Sequence, residues 1–240
     1  MQTETTNTTW HSLYKLCGVA AIVFIVYSLI TMVLLVAVGG MPATAEEGFA
    51  LLRENRVMGL LRLDILTLFT LPLYYLLFLG LYAALKRANE AYATLAVLLG
   101  CAGLTLVLAT PSALSFVTLS DRFAAATTAA QQAHFLAAGE AVLASDLWNG
   151  SGAKIGGLLL QAAWVLLSVV MLGNHSFGRF TTYTGLVAHG VDLARILLGF
   201  FFSTLDVPLM AIAGPLYLVW FPLLTRDLFR LSKQSAQPKR

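Results

Sequence analysis

Apolar positions in this chain fall in long uninterrupted runs separated by short polar stretches, with no alternation of the kind a half-buried strand shows. Residues 16–38 are interrupted only by Ser28 and Thr31. At about 1.5 Å per residue, a helix over that run covers the ~30 Å hydrocarbon core of a bilayer. Comparable runs occupy 57–85, 92–119, 155–172, 180–203 and 207–224, the fifth being the least apolar. The pattern predicts an all-α polytopic membrane bundle of six transmembrane helices, forming one membrane domain over 1–240. The connection at 120–153 reads differently: its middle is rich in alanine, lacks proline and carries only Phe123, Phe135, Leu136, Val142 and Leu143 as larger apolar residues. That composition predicts a single amphipathic helical connection lying over the outer face, broken near Asn149 and Gly150 before the fourth span.

Composition sharpens the assignment. The chain is 58% apolar and 11% charged with a mean hydropathy of +0.79, against about 25% charged in soluble domains. The net charge of +3 is scattered along helix boundaries, which excludes nucleic acid and leaves the lipid bilayer as the partner. Lys15, Lys86, Arg87, Arg179, Arg226, Arg230, Lys233, Lys239 and Arg240 fall at one set of alternate boundaries. Arg53, Arg56, Arg122 and Lys154 fall at the other, beside several acids. The positive-inside rule then places both termini in the cytoplasm. The first run is longer than the ~7–15 residues of a signal-peptide core, so it reads as a retained anchor despite the small residues at 43–45.

Charges inside a bilayer are costly, about 2.5–3.5 kcal/mol each at the centre, and mark sites or interhelical ties. In the fifth run Thr182, Gly185, His189, Asp192, Arg195 and Gly199 recur every three or four residues and share one helix face. Asp64 in the second run, Gln161 in the fourth and Arg195 in the fifth each lie roughly 9–12 Å below the outer boundary by helical rise. The expectation is one polar cluster of Arg62, Asp64, Gln161, Asp192 and Arg195, joined at its edge by Asp206, with His189 beneath it. It reads either as a closed ion-pair network or as an outward-facing cavity for a small anionic or zwitterionic ligand held by the Arg195 fork.

Other chemistry has less behind it. Cys17 and Cys101 fall at different depths, which argues against a disulfide. The spacing motifs of metal sites and of haem ligation are missing, so no metal, cofactor or catalytic residue is assigned. Pro215 and Pro222 in the last run predict bends, and Gly152 with Gly156 predicts a close helix approach.

The Arg62-Leu63-Asp64 entry into the second run, the alanine-rich stretch 122–143 and the passage through Asn149-Gly150-Ser151 into a span ending Val170-Met171-Leu172 together resemble a bacterial family of six-span membrane proteins, domain of unknown function 4386. That resemblance implies a bacterial inner-membrane protein and brings no activity with it. The expected role is binding, transport or sensing of a small polar ligand through the intramembrane cavity. A structural or accessory subunit is the alternative, and a membrane-embedded enzyme using Asp64 or Asp192 is the second alternative.

Overall fold

The computed structural model describes residues 2–110, 113–146 and 148–236, and is helical with no strand among them. Lys239 and Arg240 of the basic tail lie outside the described residues. Helix α1 (Gln2–Val38) starts well before the apolar run and stops at Gly39, whose φ of +93° suits the glycine that follows a last helical turn. The segment expected to be loop between the first two spans contains α2 (Ala45–Glu54). Thr44 caps it, its hydroxyl accepting from the Glu47 amide at 3.2 Å, while the Glu47 carboxylate accepts from the Ala43 amide at 2.9 Å. This is a variant of the Ser/Thr-x-x-Glu helix start, legible in the residues Thr44 to Glu47.

The run 57–85 is not one helix. It divides into α3 (Arg56–Arg62), α4 (Ile65–Thr70) and α5 (Leu73–Leu85). Asp64 takes a left-handed conformation, φ 53°, which a short polar side chain tolerates better than an apolar one. Pro72 then heads α5, where its missing N–H costs no helical bond. The third run likewise divides into α6 (Glu90–Leu108) and α7 (Ala113–Ala125), and Thr110 turns back to give its hydroxyl to the Val107 carbonyl at 2.6 Å. The single helix expected over the long connection is corrected as well: its first residues belong to α7, and α8 (Ala129–Ala144) begins afresh where Thr128 accepts from the Gln131 amide. Helix α9 (Ser151–Leu172), α10 (Arg179–Gly199), a 3-10 turn at Ser203–Leu205 and α11 (Asp206–Ala236) complete the order, with α11 continuous through Pro215 and Pro222.

The chain forms two compact units. In Tyr27–Leu71 with Thr105–Ile155, α2, α7 and α8 bury Ala45, Phe49, Leu52, Leu63, Ala113 and Phe116, with the Phe49 and Phe116 rings 4.8 Å apart. Arg62 lies in this unit, donating to Glu47 at 2.9 Å and to the Gly40 carbonyl at 2.8 Å. These bonds to Arg62 and the Ala43 amide hold the Glu47 carboxyl below its usual range, the amide contributing most.

In Met1–Val26 with Pro72–Leu104 and Gly156–Arg240 the core is aromatic. Phe24 stacks on Tyr74 at 4.2 Å, Phe78 stacks on Trp164 at 4.5 Å, and Trp164 meets Trp220 edge-on at 5.3 Å. The close approach expected at Gly156 is present, because a Cβ on Gly103 of α6 would stand 2.5 Å from the Gly156 carbonyl oxygen.

Among the described residues, five stretches are long and apolar enough to cross a membrane: Trp10–Val38, Ile65–Leu85, Glu90–Ala125, Ser151–Leu172 and Asp206–Ala236. Helix α10 is not among them, because His189, Asp192, Arg195 and its threonines dilute its hydropathy. Val33, Val36, Phe69, Phe180, Phe201 and Val207 are each more than half exposed, a disposition that lipid accommodates and water does not.

Candidate functional site: a polar network on α9, α10 and α11

Helix α10 buries Thr181, Thr182, Gly185, Ala188 and His189 on one face, and Asp192 and Arg195 continue that face toward the end of the helix. Its other face exposes Phe180, Tyr183, Val187 and Leu197. The stripe thus turns its polar side chains toward α9 and α11.

Asp192 is the hub. One carboxylate oxygen accepts from Arg195 Nε at 2.6 Å, and the other accepts from Gln161 Nε2 at 2.7 Å and from the Tyr217 hydroxyl at 3.1 Å. Gln161 Oε1 lies 2.7 Å from His189 Nδ1. An amide oxygen can only accept, so with the amide in this orientation Nδ1 carries the proton of that bond. Arg195 reaches across to α11, giving Nη1 to Asp206 at 2.7 Å.

Exposure falls along this sequence of bonds, from 44% at Asp206 through 19% at Arg195 and 13% at Asp192 to 1% at His189. The inner end is closed by rings. His189 stacks on Trp164 at 5.3 Å and meets Trp220 edge-on at 4.5 Å. His189 Nε2 and Trp220 Nε1 are buried without a hydrogen-bond partner among the described residues. The network therefore leads inward from a half-exposed carboxylate and stops at a histidine sealed by indoles.

Helix α10 approaches α11 closely because residue 185 has no side chain. A Cβ there would stand 2.5 Å from Trp220 Nε1 and 3.0 Å from Ser168 Oγ. Gly185→Ala is expected to cost about 1–3 kcal/mol by overpacking. A thermal midpoint in detergent equal to that of the wild type would contradict this close approach.

The expected cluster is met in part. Gln161, His189, Asp192, Arg195 and Asp206 come together as anticipated. Asp64 belongs to the other unit, where it accepts from Thr67 Oγ1 at 2.6 Å and pairs with Tyr27, itself bonded to Thr67. Arg62 is engaged by Glu47, as described above. Tyr217 was not anticipated, because a tyrosine inside an apolar run carries no signal until its neighbours are known.

A second buried carboxylate also escapes the sequence. Asp227 on α11 is fully buried and accepts from the Gly178 amide at 2.8 Å and from Thr181 Oγ1 at 2.6 Å. Gly178 precedes α10 and has no side chain to cap it, so Asp227 caps α10 from a neighbouring helix. Arg226 and Arg230 flank its other oxygen at 3.2 and 3.7 Å.

Among the described residues no group of three His, Cys, Asp or Glu side chains is placed to hold a metal. Comparison with protein-family models, curated proteins and solved structures finds no match to the chain.

Proposed function

We propose that this chain is a bacterial inner-membrane protein of six spans with both termini in the cytoplasm, and that the polar network is a structural tie fixing α9, α10 and α11. The observation that carries the tie is the internal partnering of Asp192, which receives three hydrogen bonds from three side chains of the same chain. All three donors come from within the chain and one of them is a guanidinium, so the charge is compensated internally, as a charge within a bilayer requires. Burial of the polar face of α10 against α9 and α11, with an apolar face left outward, supports counting α10 as the sixth span. The distribution of basic residues, together with an even number of spans, supports the orientation.

Cysteine labelling tests the topology. In a chain lacking Cys17 and Cys101, probes at positions 124–144 should react with an impermeant reagent from outside, while probes at Ala88 and Ser235 should not. Strong external labelling at Ser235 would overturn the orientation.

One observation favours a second reading, a ligand at the exposed end. Arg195 uses Nε and Nη1, and no acceptor bonds Nη2 among the described residues, while Asp206 is half exposed beside it. Two carboxylates already share this guanidinium, so a zwitterion, with its anion on Arg195 and its ammonium on Asp206, fits better than a simple anion. In a thermal-shift screen of carboxylates, phosphates and zwitterions, a ligand at this end would raise the midpoint of the wild type and not of Arg195→Gln. The structural reading predicts the same ligand-induced shift in the two proteins, each measured from its own midpoint.

A further inference from the structure

A larger space lies at the opposite end of the same unit from Asp206. Trp10 and Tyr14 of α1, the turn between α5 and α6, the turn between α9 and α10, and the last turns of α11 border an open cavity of about 770 Å³, within the 300–1,000 Å³ usual for small-molecule sites. Lys86, Arg87 and His175 line it together with Asn174, Trp10 and Gln234, and among the described residues no acidic side chain lines it. Lys86 is held over the Trp10 ring at 5.1 Å and the Tyr82 ring at 5.6 Å. Ring contacts of this kind orient an ammonium without neutralising it. Among the described residues neither Lys86 nor Arg87 forms an ion pair with a carboxylate.

The walls are pinned by bonds that do not use these cations. Asn174 donates to the Ala84 carbonyl at 3.1 Å and accepts from the Ser176 amide at 2.7 Å. Arg230 donates to the Ser176 carbonyl at 2.6 Å, and His11 and Ser232 bond each other across α1 and α11. The cavity is therefore formed before any ligand enters. It also sits where α5 and α9 end their apolar stretches, the level at which lipid headgroups meet a spanning helix and basic pockets bind them.

We propose that this cavity binds a phosphate group of net negative charge, through Lys86 and Arg87 with His175 at its rim. The phosphate is carried either by an anionic lipid headgroup or by a free phosphate. The proposal goes beyond the structural role of the Asp192 network and does not depend on it.

The test uses the full chain in a neutral maltoside detergent, titrated separately with phosphatidylglycerol, phosphatidylcholine and inorganic phosphate, with the thermal midpoint as readout. A rise with phosphatidylglycerol alone assigns a lipid headgroup; an equal rise with inorganic phosphate assigns a free anion. Either rise should fade at high salt. Each cation removed should weaken apparent affinity about fivefold, as expected for ~1 kcal/mol per basic residue near a charged surface. Lys86→Gln with Arg87→Gln is the stronger variant. Arg87→Gln alone, at an exposed position that supports no ring contact, keeps the test valid if the double variant folds poorly. No rise in any arm, a rise with phosphatidylcholine equal to that with phosphatidylglycerol, or undiminished affinity in Arg87→Gln would overturn the proposal.

Discussion

Asp227→Ala is expected to be among the most damaging single substitutions in the chain, lowering stability by roughly 3 kcal/mol through the loss of two hydrogen bonds to a charged acceptor. The Gly178 amide and the Thr181 hydroxyl both bond the same buried oxygen, and alanine leaves both donors without an acceptor at the uncapped start of α10. For a chain of this length, that corresponds to a fall of about 6–12 °C in the thermal midpoint. Asp227→Asn keeps an oxygen in the same place and should lose much less. Arg226 and Arg230 are largely exposed, so water takes over their charges and they add little to the loss. The measurement is a pair of melting curves in detergent. Alanine and asparagine variants that melt together, whether both near the wild type or both far below it, would show that capping of α10 is not what Asp227 does.

The all-helical architecture was legible because apolar runs of bilayer length leave few other solutions, and the polar stripe of α10 was legible because helical periodicity puts residues 182, 185, 189, 192 and 195 on one face. The interruptions were harder to read. Asp64 and Pro72 are both visible in the second run, yet the left-handed turn at Asp64 becomes apparent only in the backbone. The helix at Ala45–Glu54 has its signal in Thr44 and Glu47, a local capping pattern that leaves no trace in the long apolar runs.

Partnerships that depend on folding were not legible. Asp64 is paired with Tyr27 and Thr67, neither of which carries a charge to announce it. Arg62 meets Glu47 only because α2 exists to carry that carboxylate toward it. Asp227 sits among Arg226, Arg230 and Lys233, where an acid reads as a surface residue balancing its neighbours. Depth arithmetic gave Asp64 and Arg195 similar levels, and level alone does not make a contact.

The second large effect belongs to Asp192 and Arg195. Breaking a buried pair from one side typically costs about 3–5 kcal/mol, because the remaining charge is left without its partner. Arg195→Gln leaves Asp192 and Asp206 as two carboxylates with no cation between them. Asp192→Asn removes the charge that Arg195 and Tyr217 both address, although its amide can still bond Gln161. Each single variant should therefore melt well below the wild type.

If these side chains act as one structural tie, the double variant removes both charges at once and spares either from being stranded. Melting curves of the wild type, Asp192→Asn, Arg195→Gln and the double variant form a complete cycle, with coupling between contacting residues expected at about 0.5–3 kcal/mol. The structural account predicts a double variant no less stable than the weaker single, whereas strictly additive losses would contradict it and show that the two residues act apart.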